Sequence, residues 1–128
     1  MTGRIVYAEP EPNAARMVEQ QLETAGFEVV EAWDVASLRS IELTQKPDLM
    51  LIDAGMQRHG GLELLSYIRQ EARFSGLPVI VLGNSFIHDD IIDWLDAGAD
   101  GYIPHPFSAA LVIARVKALL RRTQRVVG

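Results

Sequence analysis

The chain has 128 residues, 48% of them hydrophobic and 23% charged, with a formal net charge of −5 and no cysteine. That length fits one domain with its own core and leaves no room for two, while the missing cysteine excludes disulfides and thiolate metal sites and suits a reducing cytoplasm. The acidic balance argues against nucleic acid as a direct partner, and no apolar run approaches the roughly 20 residues of a membrane span.

Short apolar runs alternate with amphipathic segments five times. The N-terminus runs directly into a first strand, Ile5-Val6-Tyr7-Ala8, and so does not read as a signal peptide. Pro12 starts a helix to Ala25, with Ala15, Val18 and Leu22 on its apolar stripe and Gly26 as its stop. A second strand is predicted over Phe27–Val30. Asp34 can cap a helix through about Thr44, with Val35, Leu38 and Leu43 turned partly inward. Asp48–Ile52 is a third strand, apolar enough to be buried on both faces. Gly60-Gly61 forms a loop before a helix carrying Leu62, Leu65 and Ile68. The fourth strand is Pro78–Leu82, and a helix follows from Ile87 to Ala97, ended by Gly98. The fifth strand, Gly101–Ile103, is interrupted by Pro104, which cannot donate to a ladder and belongs at an edge. Ser108 caps the last helix, with Val112, Val116, Leu119 and Leu120 on one stripe. Arg121 and Arg122 complement that helix's dipole.

Strict alternation of strand and helix implies an α/β fold: a parallel sheet with helices on both faces, a three-layer α/β/α sandwich. Central third and fourth strands with an edge fifth strand satisfy the flavodoxin-like order 2-1-3-4-5. Function in such sheets lies beyond the carboxyl ends of the strands, at the switch point between strands one and three. Glu9 and Pro10 follow strand one, Asp53 follows strand three, Gly83 follows strand four and His105 follows strand five. Two carboxylates there make an acidic pocket of the kind that holds a divalent cation through oxygen ligands. Taken singly, an Asp after a strand is more often a turn former and a lone His a solvated residue. The fourth predicted helix adds a second signal. Ile87, Ile91, Ile92, Trp94 and Leu95 span roughly 160° of its wheel, wider than the about 100° that a core-facing stripe needs.

These segments together resemble the receiver domains of two-component response regulators, CheY-like in fold. Arg4–Pro12 resembles their first strand and acidic turn, and Pro47–Met56 the strand that carries the phosphoacceptor aspartate. Leu77–Leu82 resembles their fourth strand, and Ala97–Phe107 their fifth strand with its Lys-Pro-Phe ending. The last helix resembles that of OmpR/PhoB-type receivers. The resemblance implies a receiver or pseudo-receiver domain over residues 1–123, with 124–128 a tail or the start of a linker. It implies that Asp53 is the phosphoacceptor and that Glu9, Asp53 and the Gly55 carbonyl surround a magnesium ion.

Four positions carry the switch, and three depart from the family pattern. Pro10 stands where the direct metal ligand belongs, Gly83 where a Thr or Ser hydroxyl belongs, and His105 where a Lys belongs. Tyr102 occupies the aromatic switch position. A neutral imidazole is a poor substitute for a fixed cation, with an unperturbed pKa of about 6.5, and magnesium wants carboxylate oxygen. The expectation is therefore a weakened magnesium site, no catalytic residues, no enzyme activity, and signalling by phosphorylation-independent protein–protein contact. The resemblance implies a histidine kinase or another signalling protein as partner. It also places a homodimer or partner surface at Ile91, Trp94, Leu95 and Tyr102, on the face of helix four, strand five and helix five. The His105-Pro106 peptide is expected to be cis. Three alternatives stay open. One is a conventional phosphoacceptor at Asp53, for which Asn84 or Ser85 would take over the role of the missing hydroxyl. Another is the regulatory part of a DNA-binding regulator. The last is a flavodoxin-like cofactor protein, which Glu9-Pro10-Glu11-Pro12 disfavours because that turn repels phosphate.

Overall fold

A computed structural model describes residues 3–41, 46–56, 63–83 and 88–124. Its elements, in chain order, are β1 (Gly3–Ala8), α1 (Pro12–Thr24), β2 (Phe27–Ala32), α2 (Val35–Ser40), β3 (Leu49–Asp53), α3 (Glu63–Gln70), β4 (Val79–Gly83), α4 (His88–Asp96), β5 (Gly101–Pro104) and α5 (Ala109–Gln124). Single 3₁₀ turns at Ala54–Met56 and Ala72–Phe74 follow β3 and α3. The described strands form one parallel sheet of order β2-β1-β3-β4-β5.

Alternation along each strand divides the core into two layers. Ile5, Tyr7, Leu49, Leu51, Ile80, Leu82 and Ile103 face α1 and α5, meeting Ala15, Val18, Leu22, Val112, Val116 and Leu120. Val6, Ala8, Met50, Ile52, Val79 and Val81 face the other way, onto Leu38, Leu64, Leu65, Ile68 and Phe74. β3 and β4 are apolar at nearly every position because both of their faces are covered. Truncating any of these leucines or isoleucines to alanine costs roughly 2–5 kcal/mol.

The helix ends explain themselves locally, with one exception. Glu11 caps α1 by accepting from the Asn13 N–H at 3.1 Å, and Pro12 takes the first turn. Gly26 follows at φ 101°, a left-handed backbone that glycine adopts at little cost. Asp34 and Ser37 form a reciprocal capping box at α2. α2, however, stops at Ser40 rather than near Thr44, because Ile41 turns extended and packs against the core. The Arg73 guanidinium donates to the Arg39 and Ile41 carbonyls and closes the helix end there. Leu43, Thr44, Gly60, Gly61, Leu62 and Ile87 lie outside the described residues.

The amino end of the sheet is braced by a second arginine. Arg69 of α3 donates to the Leu77 and Gly98 carbonyls and to the Asp100 carboxylate, the last at 3.1 Å. The same Asp100 oxygen accepts from the Val79 N–H at 2.8 Å. Ser108 caps α5 through the Leu111 N–H, as its position predicts. β5 sits at the sheet edge with Pro104 as its last residue. No helix among the described residues is long and apolar enough to cross a membrane.

Candidate functional site at the carboxyl ends of the strands

Five of the candidate residues converge where β1, β3, β4 and β5 end. Glu9 leaves β1 with its N–H donating to the Ala32 carbonyl at 2.9 Å, which fixes its side chain beside the sheet. That side chain is buried, and one carboxyl oxygen accepts from the Glu11 N–H at 3.0 Å. Asp53 ends β3, and its Oδ1 accepts from the Gly55 N–H at 2.7 Å. A Cβ on Gly55 would crowd that same oxygen at 2.8 Å and come within 3.6 Å of the Pro10 ring. Glycine at 55 thus keeps the Asp53 hydrogen bond open, and the Pro10 ring flanks it.

His105 follows β5. Its N–H donates to the Gly83 carbonyl at 2.6 Å, and the His105-Pro106 peptide is cis, as expected. The ring stacks at a tilt on Phe107, centroids 4.3 Å apart, and sets Nε2 3.4 Å from Asp53 Oδ2. That separation is longer than an ordinary hydrogen bond, so the pair is a loose electrostatic contact.

The two carboxyl groups cannot both ionise cheaply at this range. Burial pushes the Glu9 carboxyl up to about 7; its hydrogen bond to Asp53 and the charges of Asp53 and Glu11 act the same way, and the Glu11 N–H opposes them. Glu9 therefore keeps its proton into the neutral range and donates it toward Asp53. Beneath the pocket lies a residue that the sequence marks only as part of a strand. The Tyr7 phenol is held far above its usual range by burial, and then by the charges of Glu9, Asp53 and Glu31. Its burial was legible in the alternation of β1, but its nearness to the acids was not.

Gly83 ends β4 with no side chain, and the space beside it is filled by the phenol of Tyr102. The sequence predicts a missing hydroxyl there; the structure adds that another residue's ring takes the room. Asn84 and Ser85 lie outside the described residues. Ile91, Trp94 and Leu95 are on α4, apart from the pocket residues in sequence and in element. Ile91 is half-buried, Trp94 and Tyr102 are half-buried against the core, and Leu95 is exposed. Ile92 is exposed beside Leu95. The arrangement can hold one proton among Glu9 and Asp53, with a weakly attached imidazole at the other Asp53 oxygen.

Known proteins share this framework. The family described as response regulator receiver domain matches residues 5–117. The phosphate regulon transcriptional regulatory protein PhoB of Pseudomonas aeruginosa is similar, 35% identical over 124 residues that cover 96% of this chain and 54% of that protein. The DNA-binding dual master transcriptional regulator RpaA of Synechocystis is 32% identical over 123 residues, covering 96% of this chain and 51% of that protein. The chain thus spans about half the length of these curated relatives. The receiver domain of Francisella response regulator 1452 superposes with a TM-score of 0.83 at 27% identity, covering 94% of this chain and 98% of that one.

Proposed function

The chain belongs to the response regulator receiver domain family, and from that premise we propose that it signals through protein–protein contacts that do not depend on phosphoryl transfer to Asp53. The observation that carries this reading is the closed state of the Asp53 carboxylate. One oxygen accepts from Gly55, the other faces a loosely held imidazole, and the buried Glu9 carboxyl lies against the group with its pKa raised by that burial and by Asp53. A nucleophilic carboxylate needs a fixed positive charge to meet the incoming phosphoryl group. Here the strand-five cation is a histidine, and position 83 has no hydroxyl of its own.

The same residues suit magnesium poorly. It binds through carboxylate oxygens with near-octahedral geometry and sheds water reluctantly. Glu9 retains its proton to about pH 7, and Pro10 puts a pyrrolidine ring where a further ligand would stand. The proposed mode of action therefore runs without the ion.

The partners that fit are a histidine kinase or another signalling protein, and a second copy of this chain. Ile92 and Leu95 on α4 and Leu111 on α5 are 48%, 42% and 42% exposed. Asp93 and Asp96 stand on α4, and Arg115, Arg121 and Arg122 on α5, so the two helices carry opposite charge. A face carrying both signs is self-complementary under a two-fold axis. By analogy with the relatives, this stretch is the regulatory half of a longer regulator and does not itself touch nucleic acid.

The test is incubation with acetyl phosphate and Mg²⁺, read by intact mass. The expected spectrum is dominated by unmodified chain. Near-complete phosphoryl uptake that Asp53→Asn abolishes would instead make this a conventional phosphoacceptor receiver.

A further inference from the structure

The β4–β5 register pairs Val81 with Tyr102 and Gly83 with Pro104. Residues 81 and 83 point to one face of the sheet, and Tyr102 packs with Trp94 and Ala97 against the core cluster on that face. From there its phenol reaches along the neighbouring strand and lies on the backbone of Gly83. A Cβ built on Gly83 would stand 2.6 Å from Tyr102 Cζ and 2.8 Å from Cε2, and closer still to the hydroxyl oxygen. Real side chains do not approach so closely. Gly83 is not among the glycines with positive φ, which are Gly26, Gly76 and Gly98. Its backbone would therefore accept any L-residue, and only the ring above it forbids one.

We propose that Gly83 and Tyr102 form a steric latch. The phenol occupies the volume of the absent side chain and holds the β4–β5 edge, together with the core face on which Trp94 of α4 also packs, in one arrangement whatever the state of the Asp53 pocket. This deepens the phosphorylation-independent reading and rests on it only for the claim that no phosphoryl group is needed. Any larger residue at 83 sets two side chains in competition for one space. A tyrosine ring turns on two torsions and sits on an edge strand, so it is the side chain that leaves. Position 83 then decides whether this edge has one conformation or two.

The experiment is NMR on the 128-residue chain with labelled tyrosine and tryptophan rings and no phosphate donor. Wild-type protein is expected to show nuclear Overhauser contacts between the Tyr102 ring and the Gly83 α-protons. Gly83→Ala and Gly83→Thr should abolish contacts between the ring and residue 83. They should move the Trp94 indole signal, while Trp33, exposed at the end of β2, serves as an unmoved reference. Absence of the contacts in wild type, or their persistence in Gly83→Ala, overturns the latch. Should Gly83→Thr fail to fold, the alanine variant and the wild-type spectrum decide between these outcomes. The two readings fail separately: phosphoryl uptake at Asp53 with the ring contacts intact would sink the proposed function and leave the latch standing.

Discussion

On the β1–β3 side of the pocket, burial and the neighbouring Asp53 raise the pKa of Glu9; on the β4–β5 side, the Tyr102 phenol fills the volume beside Gly83. The first arrangement is electrostatic. It depends on burial and on which acid is charged, so pH moves it. The second is steric. It depends on a side chain being absent, so pH leaves it alone and size moves it. Both sit at the ends of adjacent strands in one sheet, yet they answer to different perturbations. The two sides of one pocket can thus be altered one at a time.

The largest effect is expected on the steric side. Tyr102→Ala empties a half-buried aromatic position and should cost about 2–3 kcal/mol, less than the roughly 3–5 of a fully buried ring. Urea denaturation at pH 6 and pH 8 should give the same loss. A loss that changed with pH would mean that the two sides are coupled.

The electrostatic side predicts a smaller effect with a definite sign. Glu9 moves from an ordinary 4.5 to about 7 on folding, so the folded chain holds a proton that the unfolded chain has released between those values. Stability from this group is complete below about 4.5 and is lost as pH rises through about 7. The full linkage is about 3 kcal/mol, reduced to roughly 2 because the two neighbouring carboxyl groups interact. Glu9→Gln keeps the hydrogen bonds and cannot ionise. It should match wild type near pH 4 and exceed it by roughly 2 kcal/mol at pH 8, as read by chemical denaturation. A wild-type curve that rises between pH 5 and 7, after the variant's is subtracted, would refute the raised pKa of Glu9.

The smallest effect on stability lies outside both halves. Leu95→Asp, on the exposed side of α4, should change folding stability by less than about 0.5 kcal/mol. Sedimentation should show a dimer for wild type and a monomer for this variant. Unchanged self-association would remove this face from the proposed contact.

Two of the three interior strands of the sheet were legible because their physics is local. β3 and β4 are short apolar runs, and a run buried on both faces can only be central. Pro104 announced the edge for the same reason. Glu9, Asp53 and His105 were legible as a group through strand order and the family resemblance, since nothing in their spacing joins residues so far apart. The end of α2 was not legible: Arg73, more than thirty residues away in sequence, supplies the donors that close it. The same holds for Gly83. In sequence it is a residue lacking a hydroxyl, and only the β4–β5 register brings Tyr102 across to it. What pattern reading misses in this chain is a side chain from one element finishing a feature of another.

Arg69 bears on how freely such a pocket can be rewritten. One guanidinium joins α3 to the loops entering β4 and β5, and Asp100 carries the connection on to the Val79 N–H. Gly76 and Gly98, the glycines with positive φ in those loops, lie at the same end of the sheet. The fastenings of this half of the molecule are thus gathered at the pole opposite Asp53. A side chain exchanged at the Asp53 pole leaves these particular bonds in place, so the entry loops of β4 and β5 stay anchored while the pocket changes.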